Sequence, residues 1–212
     1  MPNRPGYPHW CVDLDDRGAM AGEALRLHDP ETLGHCLRVA AVSEVLGRAA
    51  GLSAEPLDTL CKAGALHDIG KLALDPEMLH APRALTAEEY KRIQVHAQAG
   101  SDLLDIADPE QYHEMAHLVL EHHERWDGNG YPHRLKAQRI HFMARLLSIA
   151  DVFDALASPR AYKPGWPEER IRSHFIENRG LQFDPGLTGL FLDCYASCAA
   201  ARDGVPGIAS PA

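Results

Sequence analysis

His67 and Asp68 stand side by side in Ala65-Leu66-His67-Asp68-Ile69-Gly70-Lys71, where an apolar run of helical period from Leu57 to Leu66 meets Gly70, a natural helix stop. The chain also carries His35, His96, the pair His122-His123 and Asp151, each inside or at the end of a segment that reads as helix. Neutral imidazole mixed with carboxylate suits Fe, Mn or Zn, and a carboxylate has two oxygens with which to bridge two ions. Each residue also has a plainer reading. A His-Asp dipeptide is often a solvated helix end, a lone mid-helix histidine such as His96 is usually a packed core residue, and His-His pairs are common on surfaces. Asp151 stands apart, because a charge inside the apolar stretch Met143 to Leu156 is costly unless it is paired or bound to a cation.

The elements that must hold these groups are helices. Asp29-Pro30-Glu31 combines an N-cap with a proline at the first helical position, and Leu33, Leu37, Val39, Ala40, Val42, Val45 and Leu46 follow as an apolar face. Glu31 and His35 fall on one side of that helix, a turn apart. Ser53-Ala54-Glu55-Pro56 opens a helix that ends at His67-Asp68, and Thr86 to Glu89 has capping-box spacing for one reaching about Ile106. A helix from about Pro109 ends in Glu121-His122-His123-Glu124. Adjacent residues differ by about 100° around a helix, so both histidines can face one site only at a helix end or in a distorted turn. Trp126 to Pro132 reads as a turn-rich loop, Ile140 to Ala157 as the most regular helix, and Pro167 to Asn178 and Asp184 to Ala200 as two more.

Composition narrows the function classes. The net charge of −9 argues against a general nucleic-acid binder, although bound cations could still draw a small anion to a site. No apolar run approaches the roughly 18 residues that span a bilayer, and the first residues lack a signal-peptide core, so a cytoplasmic protein without membrane insertion is expected. The five cysteines have no zinc-finger spacing and read as small buried hydrophobes. The whole is expected to be all-α: residues 1–17 a loose arm, 18–201 a single bundle of about seven or eight helices with the metal site at its centre, and 202–212 a disordered tail.

His35, LHDIGK, His96, HHERWDGNGYP and IADVFDAL, in that order, resemble the HD-GYP phosphodiesterases, metal-dependent hydrolases of the bacterial second messenger cyclic di-GMP. The resemblance implies a metal set of His35, His67, Asp68, His96, His122, His123 and Asp151. His35, His67, Asp68 and Asp151 would hold one ion and Asp68, His96, His122 and His123 another, with Glu31 supporting a third. Fe or Mn is favoured over the closed tetrahedral Zn of structural sites. Asp68 and Lys71 become the catalytic pair, Lys71, Tyr131, Arg160 and Lys163 the contacts to substrate, and Asp154 a carboxylate that orients Lys71 or a ligand imidazole. The implied reaction opens cyclic di-GMP to pGpG, with cleavage onward to GMP left open. Departures from the family are Ala81-Pro82-Arg83 in place of Lys-Pro-Gly, Ala161 in place of Pro, and Ala137 and His141 where Gly and Pro are common. The departures at Ala81-Pro82-Arg83 and Ala161 keep open a cyclic-dinucleotide-binding or GGDEF-docking module of weak activity, while Ala137 and His141 are peripheral; hydrolysis of another nucleotide, cyclic GMP-AMP or a nucleoside phosphate, is a further alternative, since base recognition is not readable from the sequence.

Overall fold

A computed structural model describes residues 15–79, 83, 86–159 and 164–206. Asp29 opens the helix around which the others pack. Its carboxylate accepts from the amides of Glu31 (3.0 Å) and Thr32 (3.2 Å), and Pro30 at the first position needs no partner for a missing N–H. Helix α2 (Pro30–Ala49) follows α1 (Asp16–His28) and buries Leu33, Leu37, Val39, Ala40, Val42 and Leu46. Each buried leucine or valine contributes roughly 1.5–3 kcal/mol before entropy is counted. α1 begins at Asp16, capped by Asp15, so the helix takes in two residues assigned above to the arm.

α3 (Ala54–Leu66) packs against α2 and stops at Leu66. His67 and Asp68 form a turn that leads into a 3-10 turn, Ile69–Ala73. The short α4 (Pro76–Leu79) lies in the connection, and α5 (Ala87–Ile93) carries the expected capping box between Thr86 and Glu89. The long helix read from Thr86 to Ile106 is broken at Gln94 into α5 and α6 (Val95–Ala107). At that break the Ile93 carbonyl accepts from His96 Nδ1 (2.6 Å), although a continuous helix would offer it to the Ala97 amide. α7 (His113–Glu121) runs to the histidine pair, and after the loop come α8 (Phe142–Ala157), α9 (Glu168–Glu177), α10 (Pro185–Asp193) and α11 (Tyr195–Asp203). The helix read from Asp184 to Ala200 is likewise broken, at Cys194, where the Leu192 carbonyl accepts from Arg172 Nη1 (3.1 Å). These breaks and α4 raise the helix number above the seven or eight expected. Among the described residues there is no β-strand, and no helix is long and apolar enough to cross a membrane.

Phe153, Phe175, Phe183, Phe191 and Tyr195 fill the end of the bundle formed by α8 to α11, with ring centroids 4.4 Å apart for Phe175–Phe191 and 5.2 Å for Phe153–Phe191. α11 lies against α2. The reading of a disordered tail from Arg202 onward is corrected: Arg202 is helical and its guanidinium is bonded inside the bundle, to the buried Asp154.

Candidate metal centre

α2, the α3 end, α6, the α7 end and α8 converge on one cleft of about 2100 Å³. His35, Asp68, His96, His123 and Asp151 line it, and the buried His67 and His122 pack directly against them. His35, His67 and Asp151 can offer ligand atoms within 4.8 Å of one another, and so can His96, His122 and His123. Asp68 stands between the two groups. Its Oδ2 is 3.4 Å from His67 Nε2 and 3.9 Å from His35 Nε2, while its Oδ1 is 3.4 Å from His96 Nε2. Asp151 also reaches both sides, with Oδ1 3.0 Å from His35 Nε2 and Oδ2 3.9 Å from His123 Nδ1.

Three histidines use the same local device. The Nδ1–H of His67 donates to the Gly64 carbonyl (2.8 Å), that of His96 to Ile93 (2.6 Å) and that of His122 to Val119 (2.6 Å). A carbonyl three residues earlier thereby fixes each tautomer and leaves the Nε2 lone pair facing inward. His67 Nε2 is buried without a hydrogen-bond partner, and the Nε2 atoms of His96 and His122 face each other at 3.4 Å. An unsatisfied buried acceptor costs on the order of 1–3 kcal/mol, and two opposed lone pairs repel unless a cation lies between them. The residues present therefore fit divalent ions bound by nitrogen and oxygen.

α7 ends at Glu121, so His122 and His123 lie just past its last turn, their ring centroids 3.9 Å apart; His123 lines the cleft and the buried His122 turns toward His96. The flanking acids hold this end in place. Glu121 Oε2 accepts from the His141 amide (2.6 Å), and the buried Glu124 accepts from the amides of His133 (2.7 Å) and Leu135 (2.9 Å). Gly130 lets the loop return closely, since a Cβ there would stand 2.4 Å from Arg125 N and 2.6 Å from Glu124 Cα. The return brings the Tyr131 ring to 4.8 Å from that of His123. His141, read above as a simple departure from the family's proline, caps α8 by accepting from Met143 N (3.3 Å) and uses the amide that a proline would lack.

Lys71 Nζ donates to Asp68 Oδ2 at 2.6 Å and lines the cleft. Asp154 orients an imidazole rather than Lys71: its Oδ2 accepts from His35 Nδ1 at 2.7 Å. Glu31 is exposed at the cleft rim and lies outside the gathered groups among the described residues. Arg160, Lys163 and Ala161 lie outside the described residues, as do Ala81 and Pro82, whereas Arg83 is paired with Glu89 (2.7 Å). Three neighbours of the site were not assigned to it in the sequence. Cys36 can offer its sulfur within 4.8 Å of ligand atoms of His67 and Asp68, and Arg38 and Arg202 both bond Asp154.

Electrostatics follow from this crowding. Burial would push the Asp68 carboxyl up, but Lys71, His67, His96 and His35 hold it well below the usual carboxylate range. Burial likewise opposes ionisation of Asp151, and the bond and charge of His35 overcome it. Burial disfavours the charged form of His35 too, yet its bonds to Asp151 and Asp154 raise it to about 9. His123 goes the other way, lowered to about 3 chiefly by burial, and His122 and His67 are also lowered. In metal-free protein the stabilisation from His35 is complete below its ordinary 6.5 and lost as pH rises through about 9. The neutral His123 contributes above 6.5 and loses that contribution as pH falls toward 3. Thermal unfolding in chelator should therefore show greatest stability near pH 6.5, with a decline on both sides; a Tm still climbing at pH 9 would contradict this assignment.

The sequence pattern of the HD domain family matches residues 20–187. The chain belongs to that family. It is 36% identical over 183 residues to the 3'3'-cGAMP-specific phosphodiesterase 2 of Vibrio cholerae serotype O1, covering 86% of this chain and 35% of that protein. It is 34% identical over 191 residues to the cyclic di-GMP phosphodiesterase response regulator RpfG of Xanthomonas campestris pv. campestris, covering 86% and 50%. The crystal structure of a cyclic GMP-AMP specific phosphodiesterase from V. cholerae, V-cGAP3, shares the fold with a TM-score of 0.61 at 17% identity, over 89% of this chain and 53% of that one. The chain spans between about a third and a half of the length of these curated relatives.

Proposed function

We propose that this chain is a metal-dependent phosphodiesterase that opens cyclic di-GMP to linear pGpG. The observation that carries the proposal is the position of Asp68, with one oxygen toward His35 and His67 and the other toward His96. His35, His67, Asp68 and Asp151 would hold one ion and Asp68, His96, His122 and His123 the other. Two divalent ions supply, when bound, stabilisation of the attacking and leaving oxygens of an in-line displacement. The chain's own contribution is placement. The three backbone-bonded imidazoles present fixed lone pairs, and the buried carboxylates stay ionised to neutralise the cations. Lys71 supplies a positive charge beside the bridging oxygen, where a substrate phosphate would approach. Tyr131 lines the cleft beside His123.

The nitrogen and oxygen donor set favours Fe or Mn. It supports two ions; a third would require Glu31 to turn inward from the rim. Arg160 and Lys163 are assigned to the substrate phosphates, and replacing either with alanine should raise KM several-fold with little change in kcat, because contacts shared by ground and transition states act there. A fall in kcat at unchanged KM would remove that assignment.

Relatives named for 3'3'-cGAMP as well as cyclic di-GMP favour one second reading, in which the mixed dinucleotide is also cleaved. Mn- or Fe-loaded protein should be incubated with each dinucleotide and the products separated by chromatography. Conversion of cyclic di-GMP to pGpG is expected. Consumption of cyclic GMP-AMP alone would reassign the substrate, and binding of either without cleavage would leave a sensing module or a docking partner for GGDEF-type proteins.

A further inference from the structure

We infer that Arg202, on the C-terminal helix, is a positioning residue for the metal centre, acting on His35 through Asp154. The inference rests on the metal-binding reading of His35. Arg202 lies beyond residues 20–187 that the family pattern covers, so nothing in the family match points to it.

The contact runs through a carboxylate with no solvent exposure. Asp154 Oδ2 accepts from His35 Nδ1 (2.7 Å), and its Oδ1 accepts from Arg202 Nε (2.7 Å) and Arg38 Nε (2.8 Å). With Nδ1–H committed to Asp154, the Nε2 of His35 is the atom left to face Asp151 and Asp68. The aim of that ring is therefore set by where Asp154 stands. Arg38 follows His35 on α2 and moves with it, so it cannot fix Asp154 against α2 independently. Arg202 arrives from α11 and holds the same carboxylate from a separate element.

Arg202 lines the cleft, and three of its five N–H groups are already given to protein acceptors, which holds the guanidinium against Asp154. Nε bonds Asp154, Nη2 bonds Ser158 Oγ (2.9 Å) and Nη1 bonds Asp203 Oδ1 (2.6 Å). Its partners are hydrogen-bonded carboxylates and a hydroxyl, and Ser158 is itself bonded to Asp154 (3.2 Å). The arrangement is a support for a ligand imidazole, and such partners typically change metal affinity by about 10- to 100-fold when removed.

The test uses the full chain as wild type, Arg202→Gln and Arg202→Lys, titrated with Mn(II) against a competing chelator, with thermal unfolding alongside. The wild type should take up two ions. Arg202→Gln should weaken one of them on the order of tenfold and leave the other and the Tm near wild type, while Arg202→Lys, which keeps a charge for Asp154, should recover most of the loss. If Arg202→Gln binds both ions as wild type does, the inference falls and the metal centre stands. If the variant unfolds, or weakens both ions in step with its Tm, Arg202 only anchors α11 and the inference also falls. A wild type that takes up no Mn(II) or Fe(II) removes the metal reading and this inference with it.

Discussion

Asp68→Ala should bind neither ion and lose hydrolysis by about 10³-fold or more, since metal-ion stabilisation amounts to several kcal/mol and each 1.36 kcal/mol is tenfold in rate. The size of the effect follows from geometry. Asp68 offers one oxygen toward His67 and the other toward His96, 3.4 Å in each case, so its removal takes a donor from both groups. It also leaves Lys71, whose Nζ donates to Asp68 Oδ2, without that partner. Asp68→Asn keeps the shape and one acceptor oxygen but not the charge, and should retain the fold while losing most of the metal. Metal analysis and product chromatography on the same samples check both variants. Retention of two ions and turnover by Asp68→Ala would refute the bridging role.

Gly70→Ala should cost about 3 kcal/mol of stability, at the upper end of overpacking effects, and selectively weaken the ion at His96, His122 and His123. A Cβ on Gly70 would stand 2.0 Å from the His96 carbonyl oxygen and 2.5 Å from Gly100 N. Both are backbone atoms of α6, so the helix that carries His96 has to move. Gly22→Ala is the matching control, because nothing lies within 4 Å of its Cβ and an alanine inside α1 should be neutral or slightly stabilising. Urea unfolding with Mn(II) titration measures both effects. A Gly70→Ala protein as stable and as well metallated as the wild type would show that the close approach of the 69–73 turn to α6 is not needed.

Gly70 also shows how the sequence misleads about cause. Read in sequence, it stops the helix bearing His67; in the fold α3 has already ended at Leu66, and the glycine exists for the approach to α6. Local signals that depend on neighbours in sequence were legible. The Asp29 cap, the Thr86–Glu89 capping box and the charge of Asp151 inside an apolar helix all appear as expected. The breaks at Gln94 and Cys194 were not legible, because in each a side chain, His96 or Arg172, takes a carbonyl that helical periodicity assigns to the backbone. Cys36 was rightly read as buried, but its nearness to His67 and Asp68 depends on α2 meeting the end of α3. Glu121 and Glu124 carried no role in the sequence, although they tie the following segment to the histidine pair. Arg202 lies 48 positions from Asp154, a pairing that only the packing of α11 against α2 and α8 reveals.

The most direct test of a two-ion centre is an anomalous-difference map from crystals of this chain grown with Mn(II). Two peaks about 3.5–4 Å apart are expected, one among His35, His67 and Asp151 and one among His96, His122 and His123, with Asp68 between them. A map with no peak among these residues, or with a single ion that Asp68 does not touch, would contradict it.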